Sequence, residues 1–192
     1  MTRSLDDIRL FMKSLAGTDP WLYDPQILPL PWREELEVLP KKLCFGFAME
    51  DGNVTPTPPL RRAMEITKAA LLAAGHEVID FILTEHPEAV EIITKMWSAD
   101  RGQEFQRDTD ASGEPLHPQL EAWLGKSAKR VLMTVFQTWE NQRRRALLQT
   151  RWLERWQGTR EVSGTGRPID GLIMPSTPFP AIRHDGGYPV SD

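Results

Sequence analysis

Apolar positions recur at helical spacing near the start of the chain. Leu5, Ile8, Phe11, Met12 and Leu15 lie three or four residues apart and predict a first helix. Ser4 and Asp7 have the form of a capping box with an acid in place of Glu or Gln, and Gly17 suits the C′ position that ends such a helix. The pattern then breaks. Pro20, Pro25, Pro29, Pro31 and Pro40 exclude a regular helix, so 18–40 reads as an extended segment laid over a surface and pinned by Trp21, Tyr23 and Trp32.

A strand–helix–strand pattern follows. Leu43 to Met49 reads as a short buried strand, and Asp51-Gly52-Asn53 as a turn. Thr57 before Pro58 supplies an N-cap with proline at N1. Leu60, Ala63, Met64, Thr67, Ala70, Leu71 and Ala74 then form one helical stripe, closed by Gly75, and Val78 to Leu83 reads as a second strand. A crossover of this length suits parallel strands in one sheet. Pro87 to Phe105 reads as one helix, Asp108 to Pro118 as a polar loop, and Leu120, Trp123 and Leu124 as a short helix. The longest signal is 128–156, where Leu132, Val135, Phe136, Trp139, Ala146, Leu147, Leu153 and Trp156 recur at helical spacing. At about 1.5 Å per residue it predicts a helix of roughly 43 Å, which needs a broad surface to lie against. Ile169 to Met174 reads as a third strand stopped by Pro175, and Pro178 to Pro189 as an irregular tail.

The pattern therefore predicts a helix-rich α/β fold with a small, incomplete sheet, mixed or parallel, in a single partial domain over 1–192. Three strands are few for so much helix, because a parallel sheet is normally covered on both faces. The expectation is a chain cut from something larger at both ends.

Composition narrows the function. Of 192 residues 40% are apolar and 26% charged, which is enough for a core and normal for a soluble surface. The net charge of -4 argues against attraction to nucleic acid. No apolar run is long enough to span a bilayer, and Met1 to Asp7 lacks the apolar core of a signal peptide, so the expected location is cytoplasmic. Cys44, the one cysteine, sits in an apolar run and reads as a buried small hydrophobe.

Candidate chemistry is sparse. His76, His86, His117 and His184 stand in no metal-ligand spacing. The first three read as structural, with His76 placed at a helix C-terminus where the dipole favours a cation. His184 follows a strand end, where ligands often bind in α/β folds. There is no Gly-x-Ser-x-Gly elbow. Ser163-Gly164-Thr165-Gly166 is followed by Arg167-Pro168 rather than a helix with a lysine, which speaks against a phosphate loop. Arg143, Arg144 and Arg145 point around a helix axis and form no single patch.

Several segments, in order, resemble the amidase signature family, most closely its fungal acetamidase-like members. They are Thr2 to Ile8 with Leu15-Ala16-Gly17, Leu43 to Gly46 with Asp51-Gly52-Asn53-Val54 and Ala74-Gly75-His76-Glu77-Val78, then Ser112 to Leu116. The last is Trp139-Glu140 through Trp156 to Asp170-Gly171-Leu172-Ile173-Met174-Pro175-Ser176-Thr177-Pro178. The resemblance implies an amide C–N hydrolase with no metal or organic cofactor. It also implies a lysine, a bridging serine, a nucleophilic serine and a Gly/Ser-rich oxyanion loop, all upstream of the position matching Thr2. No Gly-Ser-Ser-Gly-Gly stretch is present, so no catalytic residue is carried over. Thr177, Pro178 and His184 are the expected substrate-binding residues, because they follow a strand end. The leading expectation is a truncated amidase-family chain, a pseudoenzyme inactive alone, that takes a small amide when completed, with self-association or pairing with a catalytic half. The alternatives are an amidase whose catalytic half is missing from the gene model, and a non-enzymatic helical interaction protein.

Overall fold

The computed structural model describes residues 2–118, 120–122 and 132–182. The chain forms two compact units, Met1–Lys41 and Lys42–Asp192.

In the first unit, α1 (Leu5–Ala16) starts at the Ser4 side chain, which accepts the Asp7 N–H at 3.1 Å. Gly17 caps the far end in a right-handed conformation, φ -70°, and is not the left-handed C′ residue expected. The proline-rich segment holds two short 3₁₀ turns, Pro20–Leu22 and Glu34–Glu37. Trp32 Nε1 donates to Glu37 Oε1 at 2.6 Å, whereas Tyr23 is exposed and pins nothing.

The second unit is built on a three-stranded sheet: β1 (Cys44–Phe47), β2 (Glu77–Asp80) and β3 (Gly171–Ile173), in spatial order β2-β1-β3. Both pairings are parallel, with Phe45 opposite Val78 and opposite Gly171. β1 is central and therefore the most buried. Cys44, Ala48, Phe81, Leu83 and Ile169 form the core, with Ile79, Trp152, Trp156 and Leu172 packed on it. Burial of Cys44 pushes its thiol pKa up, against a hydrogen bond with Ser163.

The crossover helix α2 (Pro58–Ala73) begins at Thr57, but no side-chain cap forms. Pro59 at N2 removes one of the two donors a cap would use, and the other, the Leu60 N–H, goes to the Thr57 carbonyl at 3.0 Å. The helix ends as its sequence predicts. Gly75 has φ +84°, and the N–H groups of His76 and Gly75 return to the carbonyls of Leu71 and Leu72.

The expected helix over Pro87 to Phe105 is two helices, α3 (His86–Trp97) and α4 (Gln103–Ser112). Arg101 and Gly102 take left-handed conformations between them, φ 59° and 80°. Asp100 holds the break by accepting the N–H groups of Gly102 and Glu104, each at 2.9 Å. α4 consequently occupies part of the stretch expected as a polar loop. Residues 120–122 are helical, while Trp123 and Leu124 lie outside the described residues.

The long helix α5 (Val135–Gly158) starts later than expected. Leu132 to Thr134 are not helical, and residues 128–131 lie outside the described set. Thr134 and Gln137 form a complete capping box that fixes the start. α5 lies on α3, where Leu148 and Ile92 are the buried apolar residues of the two helices, and its Trp152 and Trp156 pack on the core of the sheet.

Candidate functional site

Ligands of open α/β sheets bind outside the carboxyl ends of the strands, where successive connections leave a central strand in opposite directions. Here that place is the end of β1 beside β3. The ladder continues past both strands, with the Ala48 N–H on the Ile173 carbonyl at 2.9 Å, and the two chains then diverge. Between them lies a cavity of about 250 Å³ lined by residues of the β1 loop, the start of α3 and the stretch Met174 to Pro178.

The β1 loop is shaped by Asp51. Its Oδ1 accepts the N–H groups of Asn53 at 2.9 Å and Val54 at 3.0 Å, and Gly52 supplies φ +80°. This is the side-chain turn that Asp-Gly-Asn foreshadows. Oδ2 faces His86, whose Nε2 is 3.2 Å away. Burial disfavours the Asp51 charge, but the Val54 and Asn53 N–H groups and the nearby imidazole outweigh it, so the carboxyl titrates below its ordinary range.

Of the expected substrate-binding residues, Thr177 and Pro178 line this cavity. The Pro178 carbonyl accepts the Thr57 N–H at 2.8 Å, which ties the segment after β3 to the start of α2. The Thr177 hydroxyl donates to the Phe179 carbonyl at 2.6 Å and accepts the Phe179 N–H at 3.1 Å, folding the segment into a turn. His184 lies outside the described residues. His86, expected to be structural, stands in the cavity wall. The signal was its position after a predicted strand, the same argument applied to His184.

His76 is placed otherwise. Its Nδ1 accepts the Leu43 N–H at 3.3 Å, and its ring meets Phe45 edge-on at 5.8 Å. It braces the start of β1, at the opposite end of the sheet. Four lysines there and elsewhere are engaged by carboxylates: Lys13 by Glu34, Lys42 by Glu77, Lys68 by Asp80 and Lys95 by Glu91. No cluster of metal-ligating side chains occurs among the described residues. Larger cavities, of about 300 and 630 Å³, are lined by residues of the helices and the turns beside them.

A parallel α/β unit with a small cavity at its strand ends is a frame for binding a small molecule. Residues 1–190 match the Amidase family model, and the chain belongs to that family. It is 59% identical over 189 residues to a Curvularia clavata protein named as an amidase, kk1C, across 98% of this chain and 33% of that one. It is 37% identical over 191 residues to the acetamidase of Emericella nidulans, across 96% of this chain and 34% of that one. Among solved structures a fatty acid amide hydrolase superposes with a TM-score of 0.77 at 28% identity, covering 93% of this chain and 30% of that one. The chain thus spans about a third of the length of the curated relatives it matches. No helix among the described residues is long and apolar enough to cross a membrane.

Proposed function

We propose that this chain forms the substrate-side wall of an amide C–N hydrolase, with the reaction centre supplied by the part of an amidase that it does not span. The observation that carries the reading is the cavity at the ends of β1 and β3, walled by Thr177 and Pro178, in a chain that belongs to the amidase family. The role of this chain's residues is to bind and orient. The Pro178–Thr57 hydrogen bond holds the wall against α2, and the Thr177 turn sets its rim. Holding a substrate rigidly against a nucleophile on another element is a large part of catalysis. The reaction needs no organic cofactor or metal on this reading, and its substrate is a small amide.

The test is ammonia release from acetamide and benzamide. The 192-residue chain alone is expected to give none. Co-expression with the remainder of the Emericella nidulans acetamidase is expected to give a complex that hydrolyses one of them. Turnover by the repurified chain alone, lost on mutating one of its own serines, overturns the proposal.

A second reading, a helical interaction protein, is favoured by the outer face of α5. Val135, Phe136, Trp139 and Leu153 are each at least 60% exposed there, which suits self-association or pairing with another chain.

A further inference from the structure

We propose that His86, oriented by Asp51, is the residue of the strand-end cavity that recognises the N–H of a primary carboxamide. This rests on reading the cavity as the substrate side of an amidase, and it names the contact that selects the substrate.

Both partners are fixed by backbone. Asp51 is held through Oδ1 by the Asn53 and Val54 N–H groups, which leaves Oδ2 for the imidazole. His86 is the first residue of α3, its N–H on the Leu83 carbonyl at 3.2 Å and Pro87 after it. An ionised carboxylate only accepts, so in the neutral ring the proton sits on Nε2 and Nδ1 is a bare acceptor. Nδ1 takes no hydrogen bond from any described residue, and Nε2 is already committed. A ligand that reaches Nδ1 therefore meets an acceptor.

The neighbouring polar groups point the same way. The Thr177 hydroxyl spends its proton on the Phe179 carbonyl, and the Thr57 N–H is taken by Pro178. Glu50 and Asp51 add carboxylate acceptors to the lining, against the one further hydroxyl of Ser176. Val54, Pro56, Met174 and Pro175 supply apolar surface for a hydrocarbon body. A primary amide brings two N–H donors next to such a body. A tertiary amide brings none, and neither does a carboxylate product. A site built to hydrogen-bond an N–H rejects the analogue that lacks it, because the acceptor is then buried unpaired.

The experiment uses the full chain in two samples, one with ¹⁵N-labelled histidine for the imidazole nitrogens and one uniformly ¹⁵N-labelled for the backbone, and His86→Gln to assign the ring resonances. At a pH where the ring nitrogens show the neutral imidazole, His86 is expected to show the Nε2–H tautomer. Asp51→Ala is expected to abolish that preference. Titration with benzamide is expected to shift His86 Nδ1 saturably, with affinity about tenfold above that of N,N-dimethylbenzamide or benzoate. His86→Gln should erase the difference between the two amides. Equal binding of the two amides, or an Nδ1–H tautomer in the parent, overturns the proposal. If benzamide moves the backbone resonances of Ser176 and Thr177 but not His86, the role of His86 is wrong and the substrate wall stands. If it moves neither, the substrate-wall reading falls, and His86 with it.

Discussion

At the scale of single residues, two positions show how tightly the second unit is built. Gly46 is the third residue of β1, between β2 and β3. A Cβ there would lie 2.8 Å from Ile169 Cδ1 and 3.2 Å from Phe81 Cβ. The Ile169 tip can move, but the Phe81 Cβ is fixed to its backbone, and both belong to the core. Gly46→Ala is therefore expected to cost about 1–3 kcal/mol by overpacking, read as a lower denaturation midpoint at constant m. Asn141 makes the opposite case. It is 4% exposed on α5, its Nδ2 donates to the Ile92 carbonyl at 3.0 Å, and its Oδ1 has no partner. The Ile92 carbonyl lies within α3 and does not depend on Asn141 alone. Asn141→Leu removes the orphaned oxygen while keeping the branching and number of heavy atoms, so stability should stay level or rise by up to about 1 kcal/mol in chemical denaturation. A loss above about 2 kcal/mol would mean that the Ile92 bond matters more than the unpaired oxygen costs.

At the scale of elements, α3 and α5 are joined by charge as well as by the Asn141–Ile92 hydrogen bond. Arg144 pairs with Glu91 and Glu88, Arg151 with Glu88, and Arg155 with Glu85. Hydrogen bonds from Arg144, and next from Lys95, pull the Glu91 pKa from 4.5 to about 2. A carboxyl whose pKa is depressed on folding adds stability above its unfolded value and loses it as pH falls through the folded one. The loss attributable to Glu91 is therefore expected between pH 4.5 and about 2. Glu91→Gln cannot titrate, so its melting temperature should fall less steeply than the parent's across that window. The pair is solvent-exposed, so the difference should be small and should shrink in high salt. Identical acid limbs would show that Glu91 is unpaired in solution.

The same elements show what the sequence could reveal. The three strands, α1, α2 and the α5 stripe were legible from their apolar periods, although the apolar residues of α1 and those at Val135, Trp139, Leu147 and Leu153 of α5 stay largely exposed. The α3–α4 break was not. It depends on Arg101 taking φ 59°, which composition does not announce, although Asp100 before Arg101-Gly102 is a local turn signal. The true start of α5 was legible and missed, since Thr134 with Gln137 is a capping-box spacing. In the site, Thr177 and Pro178 follow from their place after β3. The Asp51–His86 pairing joins a loop and the start of α3, 35 positions apart, and the parallel register of β1 and β2 brings them together.

At the scale of the molecule, α5 has two apolar faces. Leu148, Trp152 and Trp156 meet α3 and the sheet. Val135, Trp139, Ala146, Leu147 and Leu153 lie on the other side of the same cylinder, within about a third of its circumference at 100° per residue. Trp139 is 66% exposed and Phe136 beside it 72%. A helix bearing apolar stripes on both sides is built to lie between two layers, and only one is present among the described residues of the second unit. The chain spans about a third of the length of the curated relatives it matches. The purified chain is therefore expected to self-associate at micromolar concentration and to bind an apolar dye, with oligomers visible by light scattering. Trp139→Asp with Leu147→Asp should return it to monomer, because two charges would enter the apolar contact. Both residues point away from the core, so the midpoint of the double variant should stay within about 1 kcal/mol of the parent, and Glu161→Lys should change neither property. A compact parent monomer, or a double variant that still associates, would place the adhesive surface elsewhere or remove the need for one.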